Sequence, residues 1–292
     1  MLKKILSKLF WGVFRHLLSD RQYIRIRHYL ENGYLPDLDN PKRLSEKIHH
    51  IKLNEHSDLR RLVADRLNVR DYVTEKAGSE YLIPLIGHYK TLTPKSWNSL
   101  PDRFVLKAAH GSAMVKIVRD KSEENFAEIR ALTESWLNSD YSRIGREWVY
   151  KNLPRHIIAE ELLEGPDEKP VTEYKFFCFH GKVKLFYRFE YRPDGARRNF
   201  YDENLTPLDL SFRLPESGTS TPLPAPIDNE SIIRKAITVS EKLSEDFNFI
   251  RVDLYLTENN IWFGELTNYP GNGFNPLVPD EKDLYYGKML RF

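Results

Sequence analysis

The chain has 292 residues, 41% of them hydrophobic, so it is long enough for about two domains with a sizeable buried core. Lysine and arginine number 44 against 42 acidic residues, which gives a formal net charge of +2. This balance provides no global positive field and argues against nucleic acid as a bulk partner. The single cysteine, Cys178, excludes an intramolecular disulfide and fits a reducing cytoplasm.

The first 19 residues carry hydrophobic side chains at helical spacing with basic residues between them. This pattern predicts an amphipathic helix over 1–19. Its charges recur too often for a membrane span, and no signal-peptide pattern is present. Such a helix could lie in the headgroup region of an anionic membrane or pack on the protein's own core, because the helical period fits both. Helical structure is expected to continue to about residue 80.

Residues 81–165 combine short apolar runs with one helical segment. The runs at 81–87, 104–109 and 156–160 are typical of strands, and the segment 122–138 is typical of a helix. The acidic stretch EGPDEKP at 164–170 follows. Its glycine and prolines predict a subdomain boundary.

Beyond this boundary the sequence predicts β-hairpins. The apolar runs of 173–192 meet at His180-Gly181, where glycine can supply the positive φ of a tight turn. Residues 202–230 contain five prolines, so we expect a long irregular loop of the kind that serves as a lid or substrate loop. A helix over 231–246 then leads to a last hairpin at 249–267.

Two acidic residues interrupt the apolar strands of this last hairpin, Asp253 in FIRVDLYL and Glu265 in IWFGELT. With a three-residue loop at 258–260, the two carboxylates lie opposite each other on one face of the sheet. Like charges so placed destabilise a sheet unless a cation lies between them, and hard oxygen ligands favour magnesium. A four-residue loop would put them on opposite faces. A solvated acidic pair is the common alternative.

A second candidate is Lys107, a lysine in the apolar strand FVLKAA directly before His110-Gly111-Ser112. An ammonium group beside turn N–H groups can surround phosphate oxygens. The spacings of a P-loop and of a dinucleotide fold are absent. An edge-strand lysine that reaches solvent would give the same pattern.

Two further clusters are weaker candidates. A strand end could present backbone groups and a carboxylate to a nucleotide base and ribose, or it could be a plain strand exit; it consists of Glu160, Glu161, Leu162 and Leu163. The other cluster is a polar group on and after the first hairpin, with Lys175, Arg188, Arg197, Arg198 and Asn199. Surface charge is the default for this group, although Lys175 sits in an apolar run where a lone charge needs a partner.

In this order the segments resemble the ATP-grasp superfamily, and within it the branch similar to the teichuronopeptide-biosynthesis protein TupA. The resemblance covers about residue 40 to the C-terminus. Six blocks carry it: NPKRLSEKIHHIKLNEHSDLRRLVADRLNVRDYVTEKAGSEYLIPLIG, FVLKAAHGS, REWVYKNLPRHIIAEELL, EYKFFCFHGK, RRNFYD and FIRVDLYLTENNIWFGELTNYPGNGF. Six ordered blocks are far more specific than one, which reduces the weight of the alternative interpretations above.

The resemblance implies an α+β fold in which two α+β subdomains with antiparallel sheets clamp ATP. A helical region at 1–80 would precede an N-terminal subdomain at 81–165 and a C-terminal subdomain with the metal site at 166–292. Lys107 and the turn His110, Gly111 and Ser112 would contact nucleotide phosphates, and 160–163 would form the hinge that receives adenine.

The resemblance also implies roles in the C-terminal subdomain. Lys175 would meet phosphate, while Arg198 and Asn199 would face the transferred phosphoryl group or the acyl phosphate. Asp253 and Glu265 would hold Mg²⁺. Two departures matter: Ala113-Met114 stands where the family tends to have Gly-Gly, and Thr267 replaces the asparagine that is often the final metal ligand.

The expected activity is that of an ATP-dependent carboxylate-amine ligase, which forms an amide through an acyl phosphate and releases ADP. The branch points to bacterial surface polysaccharide (capsule, O-antigen or teichuronopeptide), with a sugar carboxylate joined to an amino acid or amine. We expect a cytoplasmic protein, peripheral to the inner membrane if 1–19 binds lipid. A glycosyltransferase of the same pathway with a sugar-nucleotide site and a non-catalytic nucleotide-binding protein are the alternatives.

Overall fold

The computed structural model describes residues 2–12, 14–165, 171–192, 195–213, 227 and 229–292. Residues 166–170 of the predicted boundary lie outside this set. So do four prolines of the predicted lid loop, Pro215, Pro222, Pro224 and Pro226. The lid loop and the subdomain boundaries therefore stay predictions.

Helices form the first part of the chain, as predicted. They are α1 (Leu2–Gly12), α2 (Asp20–Asn32), α3 (Leu44–Asn54), α4 (Asp58–Leu62) and α5 (Val69–Lys76). The single helix predicted over 1–19 is wrong in its extent, because α1 ends at Gly12, a poor helix former. A short 3₁₀ turn follows, and Ser19 with Gln22 forms a capping box that starts α2. No helix in the described part of the chain combines the length and apolar character that a membrane crossing requires.

A first sheet has four strands, β1 (Leu85–Tyr89), β2 (Phe104–Ala108), β3 (Val115–Val118) and β4 (Ile157–Glu160). They are ordered β1-β4-β2-β3, and every neighbouring pair is antiparallel. The helices of this part are α6 (Pro94–Ser99), α7 (Phe126–Asn138) and α8 (Ser142–Gly145). The helix predicted from 122 begins four residues later, because Asn125 accepts a hydrogen bond from the N–H of Ala127 and so caps α7.

A second, antiparallel sheet of six strands follows. Its order is β11-β10-β5-β6-β7-β8, with β5 (Thr172–Phe179), β6 (Lys182–Arg192), β7 (Gly195–Asp202), β8 (Pro207–Leu208), β10 (Phe249–Leu256) and β11 (Ile261–Thr267). A small separate pair joins β9 (Ser211–Phe212) to β12 (Leu277–Val278), and the remaining helices are α9 (Glu230–Ser244) and α10 (Asp280–Met289). The predicted turn at His180-Gly181 is confirmed, with φ of 49° and 73°. The α+β architecture with antiparallel sheets is likewise confirmed.

Because side chains alternate along each strand, the two faces of the second sheet carry different residues and contact different parts of the protein. One face is apolar where it meets α9: Phe176 and Val252 pack there against Leu243, while Arg188 and Asn199 lie on the same face further along β6 and β7. On the other face, Phe177 and Phe249 pack at one end against the region of α3 and α10. Further along that second face the side chains become charged. The site lies at this charged end.

Buried cations join the helical region to the second sheet. Arg60, whose side chain is 3% exposed, donates to the carbonyl of Phe249 and to the side-chain oxygen of Asn268, both at 3.2 Å. Lys52, also buried, donates to the carbonyl of Asn272 at 2.8 Å. Buried charges persist only with such partners, so these contacts fix the helices against the loop that follows β11.

Candidate functional site

The two acidic residues of the last hairpin lie opposite each other, as predicted, but for a different reason. Four residues, 257–260, separate β10 from β11, so the expected three-residue loop is wrong. Alone, a four-residue loop would turn the two carboxylates to opposite faces. A β-bulge restores the alignment: Gly264 is an extra residue on β11, and beyond it Asp253 pairs with Glu265. A Cβ at Gly264 would lie 3.0 Å from the carbonyl oxygen of Asp253, so only glycine fits without movement.

Asp253 is a fully buried carboxylate held between two cations, with 0% of its side chain exposed. Arg251 donates to both of its oxygens, at 2.6 and 2.7 Å, and the Nζ of Lys175 donates to Oδ2 at 2.6 Å. Lys175 also pairs with Glu173 at 2.6 Å. Burial lowers the pKa of Lys175, but the carboxylates of Asp253 and Glu173 raise it, and the pKa lies above its ordinary value. Lys175 thus has the partner that its apolar strand requires.

Glu265 is the more accessible member of the pair, with 30% of its side chain exposed. Arg66 donates from Nη2 to Oε2 at 3.1 Å, and the hydroxyl of Thr267 donates to Oε1 at 2.9 Å. Burial would raise the pKa of Glu265, but the cations Arg66, Lys175 and Arg251 lower it to about 2. Glu265 is therefore ionised at neutral pH and can bind a cation.

The side chains around Asp253 and Glu265 determine whether the expected Mg²⁺ can bind here. Within the described ranges, no three His, Cys, Asp or Glu side chains are grouped so that they could hold a metal ion. Asn268 points elsewhere, because its side-chain amide donates to the carbonyl of Arg60 at 2.9 Å. Two carboxylates leave most of an octahedral Mg²⁺ shell open, and Mg²⁺ usually fills such positions with water and substrate phosphates. Glu265 therefore fits a magnesium ion that arrives with a nucleotide, whereas both oxygens of Asp253 are bonded to Arg251 and Lys175 and would first have to exchange these partners.

The turn between β2 and β3 offers unpaired N–H groups. Across the described residues, nothing accepts a hydrogen bond from the backbone N–H groups of 110–113. Ala113 has a φ of 60°, a left-handed conformation that costs a non-glycine residue roughly 1–2 kcal/mol. Successive free N–H groups in such a turn form a concavity suited to anions. The turn can hold phosphate oxygens, with strain at the position where the family tends to have glycine.

Glu160 joins two cations at the end of β4. The Nζ of Lys107 donates to Oε2 at 2.7 Å, and Arg70 donates to Oε1 at 3.3 Å. The side chain of Lys107 is only 13% exposed, which argues against a lysine that simply reaches solvent. Next to this pair, the N–H of Glu161 donates to the carbonyl of Pro84 at 3.0 Å and holds the strand exit in place.

A cleft of about 480 Å³ lies between the two sheets, a size suited to a small-molecule ligand. Residues from β2, β3, β5, β6, β10 and β11 line it. Seven predicted or discussed positions are among them: Lys107, Ser112, Ala113, Glu161, Leu162, Leu163 and Glu265. The structure therefore brings the proposed phosphate turn, the proposed hinge and one proposed metal ligand to a single cleft.

A second, enclosed cavity of about 20 Å³ lies beside the cleft and is large enough for one water molecule. Its lining includes four predicted positions, Lys107, Gly111, Glu160 and Glu265. The remaining polar side chains around it come from Arg66, Arg70 and Tyr150.

Three predicted site residues have different surroundings. Arg198 lies on the charged face of the second sheet, with its guanidinium 5.2 Å from the ring centre of Phe189, which lines the cleft. Asn199 is the next residue on β7 and therefore lies on the opposite face, where its amide donates to Glu190 at 3.0 Å. His110 is buried, with Nε2 3.0 Å from the carbonyl oxygen of Trp136. The structure brings neither Asn199 nor His110 to the cleft.

The prediction missed three arginines, Arg66, Arg70 and Arg251. Arg251 could have been found, because a residue two positions before Asp253 on the same strand must share its face. Arg66 and Arg70 precede or begin α5, and their partners Glu265 and Glu160 lie far along the chain. Spacing within a helix contains no information about such distant partners.

Comparison with known proteins identifies the class. The sequence model of the TupA-like ATP-grasp family matches residues 46–291. This match covers most of the chain, so the chain is a member of the ATP-grasp class of proteins. Within that class it belongs to the TupA-like ATP-grasp family. No protein among the curated sequences matches it.

Solved structures with a similar arrangement are more distant. The D-alanine–D-alanine ligase of Bacillus anthracis in complex with ATP is 17% identical, with a TM-score of 0.43 over 78% of this chain and 64% of that one. The L-amino acid ligase of Bacillus licheniformis is 14% identical, with a TM-score of 0.45 over 93% of this chain and 55% of that one. The chain thus spans less than two thirds of either protein, and the identification depends on the family match.

Replacing Asp253 should be costly for folding itself. Asp253→Asn removes the hydrogen-bonded counter-charge of the buried Arg251 and leaves Lys175 with Glu173 alone, so we expect a loss of roughly 3–5 kcal/mol in the free energy of unfolding. Glu265→Gln should cost about 1–2 kcal/mol, because water can reach this side chain. Urea unfolding measures both, with the exposed Asp209→Asn as the control. Equal losses in Asp253→Asn and Glu265→Gln would contradict the structural role of Asp253.

Proposed function

We propose that this protein is an ATP-dependent carboxylate-amine ligase that activates its carboxylate substrate as an acyl phosphate. The observation that carries the proposal is the shared cleft, at which a turn with free N–H groups and the carboxylate of Glu265 meet. Phosphates would bind the turn through residues 111–113 and the ammonium group of Lys107. The segment 161–163 would receive the adenine base on the apolar side chains of Leu162 and Leu163.

Asp253 and Glu265 would hold magnesium, which neutralises phosphate charge when bound. The cations beneath them support this role, because Arg251 and Lys175 hold Asp253 by hydrogen bonds and Arg251 also lies 3.6 Å from Glu265. When the carboxylates bind the metal, Arg251 and Lys175 would be released to pair with phosphate oxygens. Arg198, on the same sheet face, would approach the acyl phosphate.

The chemistry needs no protein nucleophile. A carboxylate oxygen of the substrate attacks the γ-phosphorus of ATP, and the bond to the β,γ-bridging oxygen breaks, so ADP leaves. The amine then attacks the acyl carbon and loses a proton, and inorganic phosphate departs. Lys107 at the cleft, and Lys175 on the charged face of the second sheet, would stabilise the charge that accumulates on the phosphate oxygens. The protein's main contributions would be positioning and electrostatic stabilisation.

The nucleotide can be identified by thermal stabilisation. Mg-ATP should raise the melting temperature of the full chain, because a ligand that binds only the folded state stabilises it by mass action. Mg²⁺ alone should have little effect, since two carboxylates do not complete its shell. Stabilisation by a magnesium complex of a uridine-diphosphate sugar, with none by Mg-ATP, would favour the glycosyltransferase alternative and overturn the proposal.

A matched pair of variants gives the control. Lys107→Gln should weaken the response to ATP, whereas Lys235→Gln, on α9, should respond like the wild type. ADP release that persists in Asp253→Asn with Glu265→Gln would contradict the proposed metal site.

We propose a sugar carboxylate in surface-polysaccharide synthesis as the first substrate and an amino acid or amine as the second. Support comes from membership of the TupA-like family together with the basic charge available for an anion at Arg198. Mass spectrometry of the surface polysaccharide, with and without the gene, tests this assignment. The strain without the gene should lose an amide-linked amino acid or amine from its uronic acid. An unchanged polysaccharide would refute the substrate and leave the ligase chemistry standing.

We also propose peripheral contact with an anionic membrane through α1 and the turn after it. Phe10 is buried against Tyr23, whereas an apolar set remains exposed: Leu6, Leu9, Trp11, Phe14 and Leu17. Lys8 and Arg15 lie among them, which is the combination that binds an anionic headgroup region.

Vesicle sedimentation tests this contact. The protein should sediment with vesicles that contain phosphatidylglycerol, and less so with phosphatidylcholine alone. Leu9→Gln with Phe14→Gln should reduce binding. The control Leu35→Gln removes an equally exposed leucine elsewhere. Equal sedimentation of all variants would exclude the proposed contact.

A further inference from the structure

We infer that Arg66, from the helical region, is a positioning residue that sets the phosphate turn and Glu265 at a fixed separation. This inference rests on the proposed function, because it assigns Arg66 to the nucleotide and metal site. It makes the helical region part of the catalytic apparatus.

The contacts of Arg66 reach both sides of the cleft. Its Nη1 donates to the carbonyl of Ala108 at 2.9 Å and also to the carbonyl of Gly111. Its Nη2 donates to Oε2 of Glu265 at 3.1 Å. Its backbone N–H donates to the carbonyl of Ala109 at 3.1 Å. One residue therefore holds three carbonyls of the first sheet and one carboxylate of the second.

These contacts also orient the N–H groups of the turn. In a trans peptide the N–H points away from the preceding C=O. The carbonyls of Ala109 and Gly111 point at Arg66, so the N–H groups of His110 and Ser112 point away from it. Neither N–H has an acceptor within the described residues, and Ser112 lines the cleft. Arg66 thereby leaves donors free for phosphate oxygens.

The planar guanidinium is what makes this geometry rigid. Its two terminal nitrogens keep a fixed spacing, so the carbonyl of Gly111 and the carboxylate of Glu265 cannot move independently. The side chain of Arg66 is only 14% exposed, and partial burial strengthens these charge-assisted hydrogen bonds. A lysine at this position would keep the charge but could not hold both partners at one spacing.

The test compares Arg66→Lys, Glu265→Gln and the double variant in the full chain. For each, the ATP concentration that gives half-maximal thermal stabilisation is measured at saturating Mg²⁺. We expect Arg66→Lys to raise it about tenfold, the effect of one lost charge-assisted hydrogen bond. Because Arg66 couples the turn to Glu265, the loss of binding in the double variant should be smaller than the sum of the two single losses. Arg234→Lys, an exposed arginine of α9 that pairs with Glu230, is the matched control.

A purely structural Arg66 would give a different result. The variant would then melt earlier without ligand but keep the wild-type ATP dependence, or its effect would add fully to that of Glu265→Gln; either result overturns the inference. Amide hydrogen exchange at Ala108 and Ala109, whose N–H groups donate to Met114 and His156 at the base of the turn, adds a second measure, and it should be faster in Arg66→Lys. If wild-type protein shows no stabilisation by Mg-ATP, the proposed function itself fails; wild-type stabilisation with an unaffected variant rejects the role of Arg66 alone.

Discussion

The burial of one carboxylate, Asp253, constrains the whole charged face of the second sheet. A carboxylate with no access to water needs compensating charge, and Arg251 on the same strand and Lys175 on the neighbouring strand β5 supply it. Arg251 also lies 3.6 Å from Glu265, and Lys175 also forms an ion pair with Glu173. The cluster is thus nearly neutral by itself. A magnesium-nucleotide complex contains charges of both signs, so these ion pairs could exchange partners without leaving a charge uncompensated.

The helical region also contributes cations to the contacts around the site. Four of its cations reach acceptors in the parts of the chain that follow it: Lys52, Arg60, Arg66 and Arg70. Each is buried or partly buried, so each bond would be costly to lose. Removing the helices would therefore expose unpaired acceptors at the cleft as well as apolar surface. The two large sheets and the helices that precede them form one structural unit around the site.

Local features of the fold were predictable, and features that depend on long-range contacts were not. His180-Gly181 identified its hairpin because turn chemistry is local. The family blocks assigned Lys107 to the phosphates and Glu160 to the adenine hinge, but neither block indicates that the two side chains form an ion pair across β2 and β4. Asn199 shows an avoidable error: strand alternation excludes it from the face of Arg198. Arg66 could not be found from the sequence, because its partner is 199 positions away.

Because β11 contains the bulge at Gly264, the orientation of Glu265 depends on whether the hairpin loop has an even or an odd number of residues. Residues 257–260 can change in type freely, since they project beyond the sheet. Inserting or deleting one of them would rotate Glu265 out of the cleft, whereas a change of two would preserve its orientation. A single-residue change would be harmless only if Gly264 were lost or gained with it. Among relatives of this chain, tip length and the bulge glycine should therefore vary together.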